Sequence, residues 1–136
     1  KFFGLAGLRL GFALAAPATA ARLAASLGPW AVSSAAIAIG ETALRDRSWR
    51  EAMRAALARE ALQLDQLLTS TGLDVVGGTS LFRLVRATAA QKLFHHLGRA
   101  GILVRRFDEQ PAWLRFGLPA GEAAWSRLRT ALAALA

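Results

Sequence analysis

Apolar positions recur along the chain at two periods, and the change from one to the other lays out its elements. From Trp49 through Met53, Leu57, Ala61, Leu64 and Leu68 they return every three or four residues, the spacing of one helical face. Ser48 and Glu51 form an S-x-x-E capping box at the head of that stripe. Its hydroxyl and carboxylate can satisfy the backbone donors of a first turn, so the pattern predicts a helix from there to about Thr71. Gly72 stands where a left-handed C-terminal cap falls. The next runs, Leu73 to Val76 and Thr79 to Arg86, are short and rich in branched and aromatic residues, and they read as strands separated by Gly77-Gly78. Thr88 and Gln91 make a second capping box, predicting a helix to about Arg99 with a stop at Gly101. Ile102 to Phe107 and Trp113 to Gly117 read as two more strands across the polar turn Asp108 to Pro111. From Ala120 onward, Trp125, Leu128, Leu132 and Leu135 share one side of a last helix. Residues 46–136 therefore describe a small α+β domain with helices on one face of a sheet.

The first 45 residues follow a different pattern. Leu8 to Leu14 reads as a short strand after a Gly-rich turn. Pro17 and Thr19 then open a helix through about Leu27, Gly28-Pro29 breaks it, and a second helix runs from Ala31 to about Arg45. Trp30 is expected to pack inside. The uncharged stretch from Leu23 to Gly40 reaches the minimum length of a membrane span, but Ala, Ser and Gly dominate it and Pro29 interrupts it, which favours a broken, buried helix pair. Ala18-Thr19-Ala20, behind the apolar run Leu10 to Ala16, has the small-x-small form of a signal-peptidase site. A membrane or exported helical protein is thus the rival class, and a basic helical adaptor is a third.

Composition narrows the choice. The 136 residues, 54% hydrophobic and 19% charged, exclude a disordered tail and suffice for one small domain or a piece of a larger one. The chain begins at Lys1 on residues that look like the middle of a protein, and it reads as a C-terminal fragment. With no cysteine there is no disulfide framework, thiolate metal site or cysteine nucleophile, and a reducing cytosol is allowed. The net charge is +8, and fifteen of the seventeen basic residues are arginine. Arg45, Arg47, Arg50, Arg54 and Arg59 alternate with Glu41, Asp46, Glu51 and Glu60, the pattern of a solvated or dimer-facing surface rather than a nucleic-acid footprint. His95 and His96 adjoin on a helix and diverge, whereas two metal ligands on one face need a spacing of three or four, so no metal site is expected. Ser33 and Ser34 have no nearby His/Asp pairing that would make either a nucleophile.

Two basic residues stand outside solvated runs. Lys1 lies against Phe2, Phe3 and a Gly-rich turn. Burial there would favour the neutral amine, the form that attacks a carbonyl to make a Schiff base. Arg9 is flanked by Leu8 and Leu10 beside Gly11. A guanidinium in that setting needs a partner, either a carboxylate or a phosphate that matches its planar fork.

The run Lys1-Phe2-Phe3-Gly4-Leu5-Ala6-Gly7-Leu8-Arg9-Leu10-Gly11 resembles the cofactor-lysine segment of the fold-type I pyridoxal-phosphate enzymes, the class I and II aminotransferase family. Gly101-Ile102-Leu103-Val104-Arg105 and Trp113-Leu114-Arg115-Phe116-Gly117-Leu118-Pro119 are similar to that family's paired C-terminal strands. The resemblance implies an α/β fold, with residues 1–45 ending the large cofactor domain and residues 46–136 forming the small domain. It makes Lys1 the catalytic lysine that carries pyridoxal 5'-phosphate, Arg9 the grip on the cofactor phosphate, Arg115 the binder of a substrate α-carboxylate and Arg105 the binder of a substrate phosphate. Within the family, the wording, together with Gly28-Pro29-Trp30-Ala31-Val32, is most similar to the threonine-phosphate decarboxylases of cobalamin biosynthesis, with the histidinol-phosphate aminotransferases close by. Implied with it are a phosphorylated amino-acid substrate, a cytoplasmic homodimer as full-length protein, and neither nucleic acid nor membrane as partner.

Overall fold

The structure, a computed structural model, describes residues 1–135. Ala136, the last residue of the expected small domain, lies outside them. The chain divides into two compact units, Lys1–Glu51 and Ala52–Ala136.

The first unit holds a short 3-10 turn at Ala6–Leu8, helix α1 at Pro17–Leu27, helix α2 at Ser34–Arg45, and the start of helix α3, which runs Arg47–Ser70. Pro17 sits at the first position of α1, where its missing N–H costs nothing. Ser33 caps α2 by accepting from the Ala36 N–H at 3.1 Å. The expected strand at Leu8 to Leu14 is absent among the described residues. A strand needs a neighbour to pair its backbone groups, and this unit offers only helices. Trp30, expected to pack inside, is 92% exposed, so that expectation is overturned. Helix α3 starts two residues early, because Asp46 rather than Ser48 is the cap. Its carboxylate accepts from the Trp49 N–H at 3.0 Å and from the Ser48 hydroxyl at 3.0 Å, while Glu51 pairs with Arg47. The Asp46 carboxylate binds the Trp49 N–H as the cap and also takes the Ser48 hydroxyl, the group the predicted capping box would have used.

The second unit is a four-stranded antiparallel sheet in the order β1-β2-β4-β3 with helices against one face. Its strands are β1 Asp74–Thr79, β2 Phe82–Arg86, β3 Arg105–Arg106 and β4 Trp113–Gly117, joined by helix α4 at Ala90–Arg99 and followed by α5 at Gly121–Ala133. The core is built from Leu64 and Leu68 of α3, Val85 of β2, Leu93 and Leu97 of α4, Leu114 and Phe116 of β4, and Trp125, Leu128 and Leu132 of α5. Leu135, expected on the same side of α5, is left exposed.

Both glycine stops fold as read. After α3, the Leu73 N–H donates to Leu68 O at 3.2 Å and the Gly72 N–H to Thr69 O at 3.0 Å, with Gly72 at φ +78°. After α4, Ile102 donates to Leu97 O at 2.9 Å and Gly101 to Gly98 O at 3.0 Å, with Gly101 at φ +71°. Each is a Schellman closure, and Leu73 and Ile102 drop back onto the core as that closure requires. The Thr88 capping box, in contrast, does not form: Ala89 holds the cap position without a side-chain bond.

The hairpin is displaced from its predicted turn. Gly77-Gly78 lies inside β1, and the chain reverses at Ser80-Leu81, where Thr79 pairs with Phe82. Val76 is the extra residue of a bulge between Val75 and Gly77. The bare face of Gly78 makes room for Arg83. A Cβ there would stand 2.5 Å from Phe82 O and 2.8 Å from Arg83 Cδ. Arg83 crosses this gap to Asp65 of α3, Nε to Oδ1 at 2.6 Å, with its side chain only 14% exposed. The N–H is not aligned on that oxygen, so the pair is held by charge rather than by a well-directed hydrogen bond.

Candidate active site

The residues expected to carry chemistry divide between the units, Lys1 and Arg9 in the first and Arg105 and Arg115 in the second. Lys1 opens a tight turn in which the Gly4 N–H donates to Lys1 O at 3.1 Å and Gly4 takes φ +69°. The Leu8 and Arg9 N–H groups then close the 3-10 turn on Leu5 O and Ala6 O at 3.1 and 3.3 Å. This segment is anchored by an aromatic trio. Phe3 stacks on Trp49 with centroids 5.4 Å apart, Phe2 meets Trp49 edge-on at 5.7 Å, and the two phenylalanines meet edge-on at 5.0 Å. Sequence reading put Trp49 in the small-domain stripe and missed this role. The signal was its position, three turns ahead of the first fully buried residue of that stripe, Ala61. Leu10 adds a second anchor by packing where Gly40 of α2 has no side chain.

Lys1 is exposed, which corrects the expectation of a buried amine. The unit buries only Ala36 and Gly40 among its described residues, so it has no apolar interior in which to enclose an amine. Arg9 is also exposed, and it sits at φ 53°, in the left-handed region that a residue with a Cβ enters at a cost of roughly 1–2 kcal/mol. Such backbone strain concentrates at ligand clamps. An amine and a guanidinium on one nine-residue turn are together the donor set that an aldehyde and a phosphate dianion call for.

In the second unit Arg105 of β3 and Arg115 of β4 are direct register partners. Leu114 and Phe116 point into the core, so by strand alternation Arg115 stands on the sheet face away from the helices, and Arg105 shares that face. Like charges directly opposed across a ladder are destabilising. No ion pair to either guanidinium is seen among the described residues; the neighbouring Arg106 is the one near a carboxylate, 3.5 Å from Asp108. Instead each lies over a ring, Arg115 4.3 Å from the Phe82 centroid and Arg105 5.5 Å from Phe107. Phe82 is a contributor that sequence reading missed, because only the pairing of β2 with β4 brings it beneath Arg115. What the face offers chemically is two adjacent guanidiniums, each beside an aromatic ring, with geometry suited to an anion.

Residues 1–134 match the family described as aminotransferase class I and II. The chain belongs to that family. Similar curated relatives are threonine-phosphate decarboxylases from Pseudomonas aeruginosa, 46% identical over 97% of this chain, and from a Sinorhizobium species, 44% identical over 98%. A histidinol-phosphate aminotransferase from Ralstonia nicotianae is 36% identical over 98%. The chain spans about two fifths of the length of these relatives, 40%, 39% and 38% respectively. An aminotransferase structure from Burkholderia pseudomallei superposes with a TM-score of 0.83 at 27% identity, covering 99% of this chain and 42% of that one. The histidinol-phosphate aminotransferase of Sinorhizobium meliloti, solved in complex with pyridoxal-5'-phosphate, shares the fold at a TM-score of 0.81 and 20% identity, covering all of this chain and 40% of that one. The fold is therefore that of the pyridoxal-phosphate-dependent aminotransferases, an enzyme family. Among the described residues no helix is long and apolar enough to cross a membrane.

Proposed function

We propose that this chain serves a pyridoxal-phosphate enzyme that decarboxylates L-threonine O-3-phosphate to aminopropanol phosphate, a step of cobalamin biosynthesis. The observation that carries the reading is the direct pairing of Arg105 with Arg115, a doubly cationic face suited to a substrate with both a carboxylate and a phosphate. The threonine-phosphate decarboxylases at 46% and 44% identity support the choice of substrate. When bound, pyridoxal phosphate supplies an electron sink for the bond broken at the α-carbon. Lys1 Nζ is the amine that holds the cofactor and moves the proton, and Arg9 grips its phosphate. Arg115 binds the substrate α-carboxylate through two parallel hydrogen bonds, and Arg105 takes the substrate phosphate. Together these contacts orient the α-carbon, and orientation selects which of its bonds breaks. Residues 1–45 belong in this reading to the large cofactor domain and residues 46–136 to the small domain; the division of the chain into two compact units supports a boundary in this region. The same reading makes the enzyme a cytoplasmic homodimer.

A histidinol-phosphate-type aminotransferase is the second reading, favoured by the 36% identical relative. The two separate on products. The whole protein, supplied with pyridoxal phosphate and threonine phosphate, is expected to release carbon dioxide in step with aminopropanol phosphate. Keto product without carbon dioxide would move it to the aminotransferases.

A further inference from the structure

We propose that the second unit carries a separate binding site for a small organic phosphate, in the cleft between α4 and the adjoining ends of β1 and β2. An open cavity of about 1030 Å³ lies there, and neither Arg105 nor Arg115 contributes to its wall. Lys92, His95, His96 and Arg99 all line it. These positions recur at three, four and seven residues along α4, so one helical face presents a row of basic groups to one recess. Lys92 and Arg99, the two formal charges of the row, stand two turns apart at its ends, with the two imidazoles between them. Asp74 is the one carboxylate on the described wall, and it is taken by Arg86, whose Nε lies 3.0 Å and Nη2 2.5 Å from Asp74 Oδ2. No ion pair to Lys92 or Arg99 is seen among the described residues. His96 is fixed by a contact from Nε2 to Ala131 O at 2.7 Å, which holds its ring between α4 and α5.

The shape of the recess selects among anions. Leu73, Leu93 and Ala112 add apolar surface to its lining, and its volume is that of a pocket for a small organic molecule rather than for a bare ion. Among the described residues the wall contains no Phe or Trp on which bases could stack, which argues against a single-stranded nucleic acid. A phosphate on the Lys92–Arg99 row with a carbon skeleton against Leu73 and Leu93 satisfies both the basic and the apolar lining.

The test is calorimetric titration of the full chain with phenyl phosphate and with inorganic phosphate at constant ionic strength, repeated in the Arg105→Gln/Arg115→Gln double variant. Phenyl phosphate is expected to bind more tightly than inorganic phosphate, and equally well when Arg105 and Arg115 are replaced. Lys92→Gln/Arg99→Gln should weaken it roughly tenfold or more through the loss of two charge-assisted contacts. Both positions are exposed, so folding is not at stake. Ala112→Asp keeps every cation and places a carboxylate in the wall; it should weaken binding as strongly. No binding, binding abolished by Arg105→Gln/Arg115→Gln, or binding indifferent to Lys92→Gln/Arg99→Gln and Ala112→Asp would each overturn the site. Failure of the decarboxylase reading would leave these results unchanged.

Discussion

Arg9 and Arg115 differ in what holds them, and the difference predicts how each responds to substitution. Arg9 is fixed by its own backbone, in the left-handed region with its N–H bonded to Ala6 O at 3.3 Å. Removing its guanidinium should leave the turn in place and cost only the contact to the cofactor phosphate. Arg9→Ala in the whole protein is expected to weaken cofactor binding by about 1.5–3 kcal/mol, read as a raised dissociation constant at an unchanged melting temperature. A falling melting temperature with unaltered cofactor affinity would make Arg9 a structural residue. Arg115 places Cζ 4.3 Å from the Phe82 ring centroid and is opposed to Arg105. A lysine keeps the charge but loses the planar fork and the ring contact. Arg115→Lys should therefore raise KM for every amino-acid substrate while cofactor absorbance stays that of the parent; retained KM would refute the carboxylate role.

At the scale of elements, the sharpest case is the hairpin of β1 and β2. Gly78 is bare because Arg83 must pass over it to reach Asp65, whereas a Cβ at Gly77 would meet nothing within 4 Å. Gly78→Ala should push the Arg83 side chain aside and cost about 1–3 kcal/mol in denaturant unfolding. Gly77→Ala, its chain neighbour, should stay within about 0.5 kcal/mol of the parent. Equal effects at the two positions would remove the close approach as the reason for the glycine. The same pair marks where sequence reading stops. Gly72 and Gly101 were legible as helix stops because a Schellman closure is made within six consecutive residues. Gly77-Gly78 was misread as a turn because the purpose of Gly78 lies in the Arg83–Asp65 ion pair to α3, and two adjacent glycines look alike in either role. The capping boxes at Ser48 and Thr88 failed for a related reason: a cap is a competition, and an Asp at 46 or a preceding turn can win it.

Across the whole molecule, the two units differ in what they bury, and local pattern could not foresee this. Start and stop signals identified α1 and α2, since Pro17 opens the first and Gly28-Pro29 ends it, although the second begins at Ser34 behind the Ser33 cap rather than at Ala31. They could not say what the apolar faces of these helices meet. Part of the core of the second unit was legible, because Leu64, Leu68, Leu128 and Leu132 recur at helical spacing, although Leu135 of the same pattern is exposed. The pairing that joins Arg105 to Arg115 was legible only through resemblance, as no local feature dictates strand order. In the first unit Phe12, Leu14, Leu27 and Trp30 are 72%, 100%, 69% and 92% exposed, and α1 buries nothing. An isolated helix of eleven residues is marginal in water, because nucleation is unfavourable and packing supplies most helical stability. Hydrogen exchange on the 136-residue chain by itself should therefore be graded by unit. Amides of α1 are expected to exchange close to the rate of an unstructured peptide, and those of β2, β4 and α5 to be slowed by orders of magnitude, since only the latter open with the core. Protection in α1 equal to that in β4 would show that the first unit possesses a stabilising interior of its own.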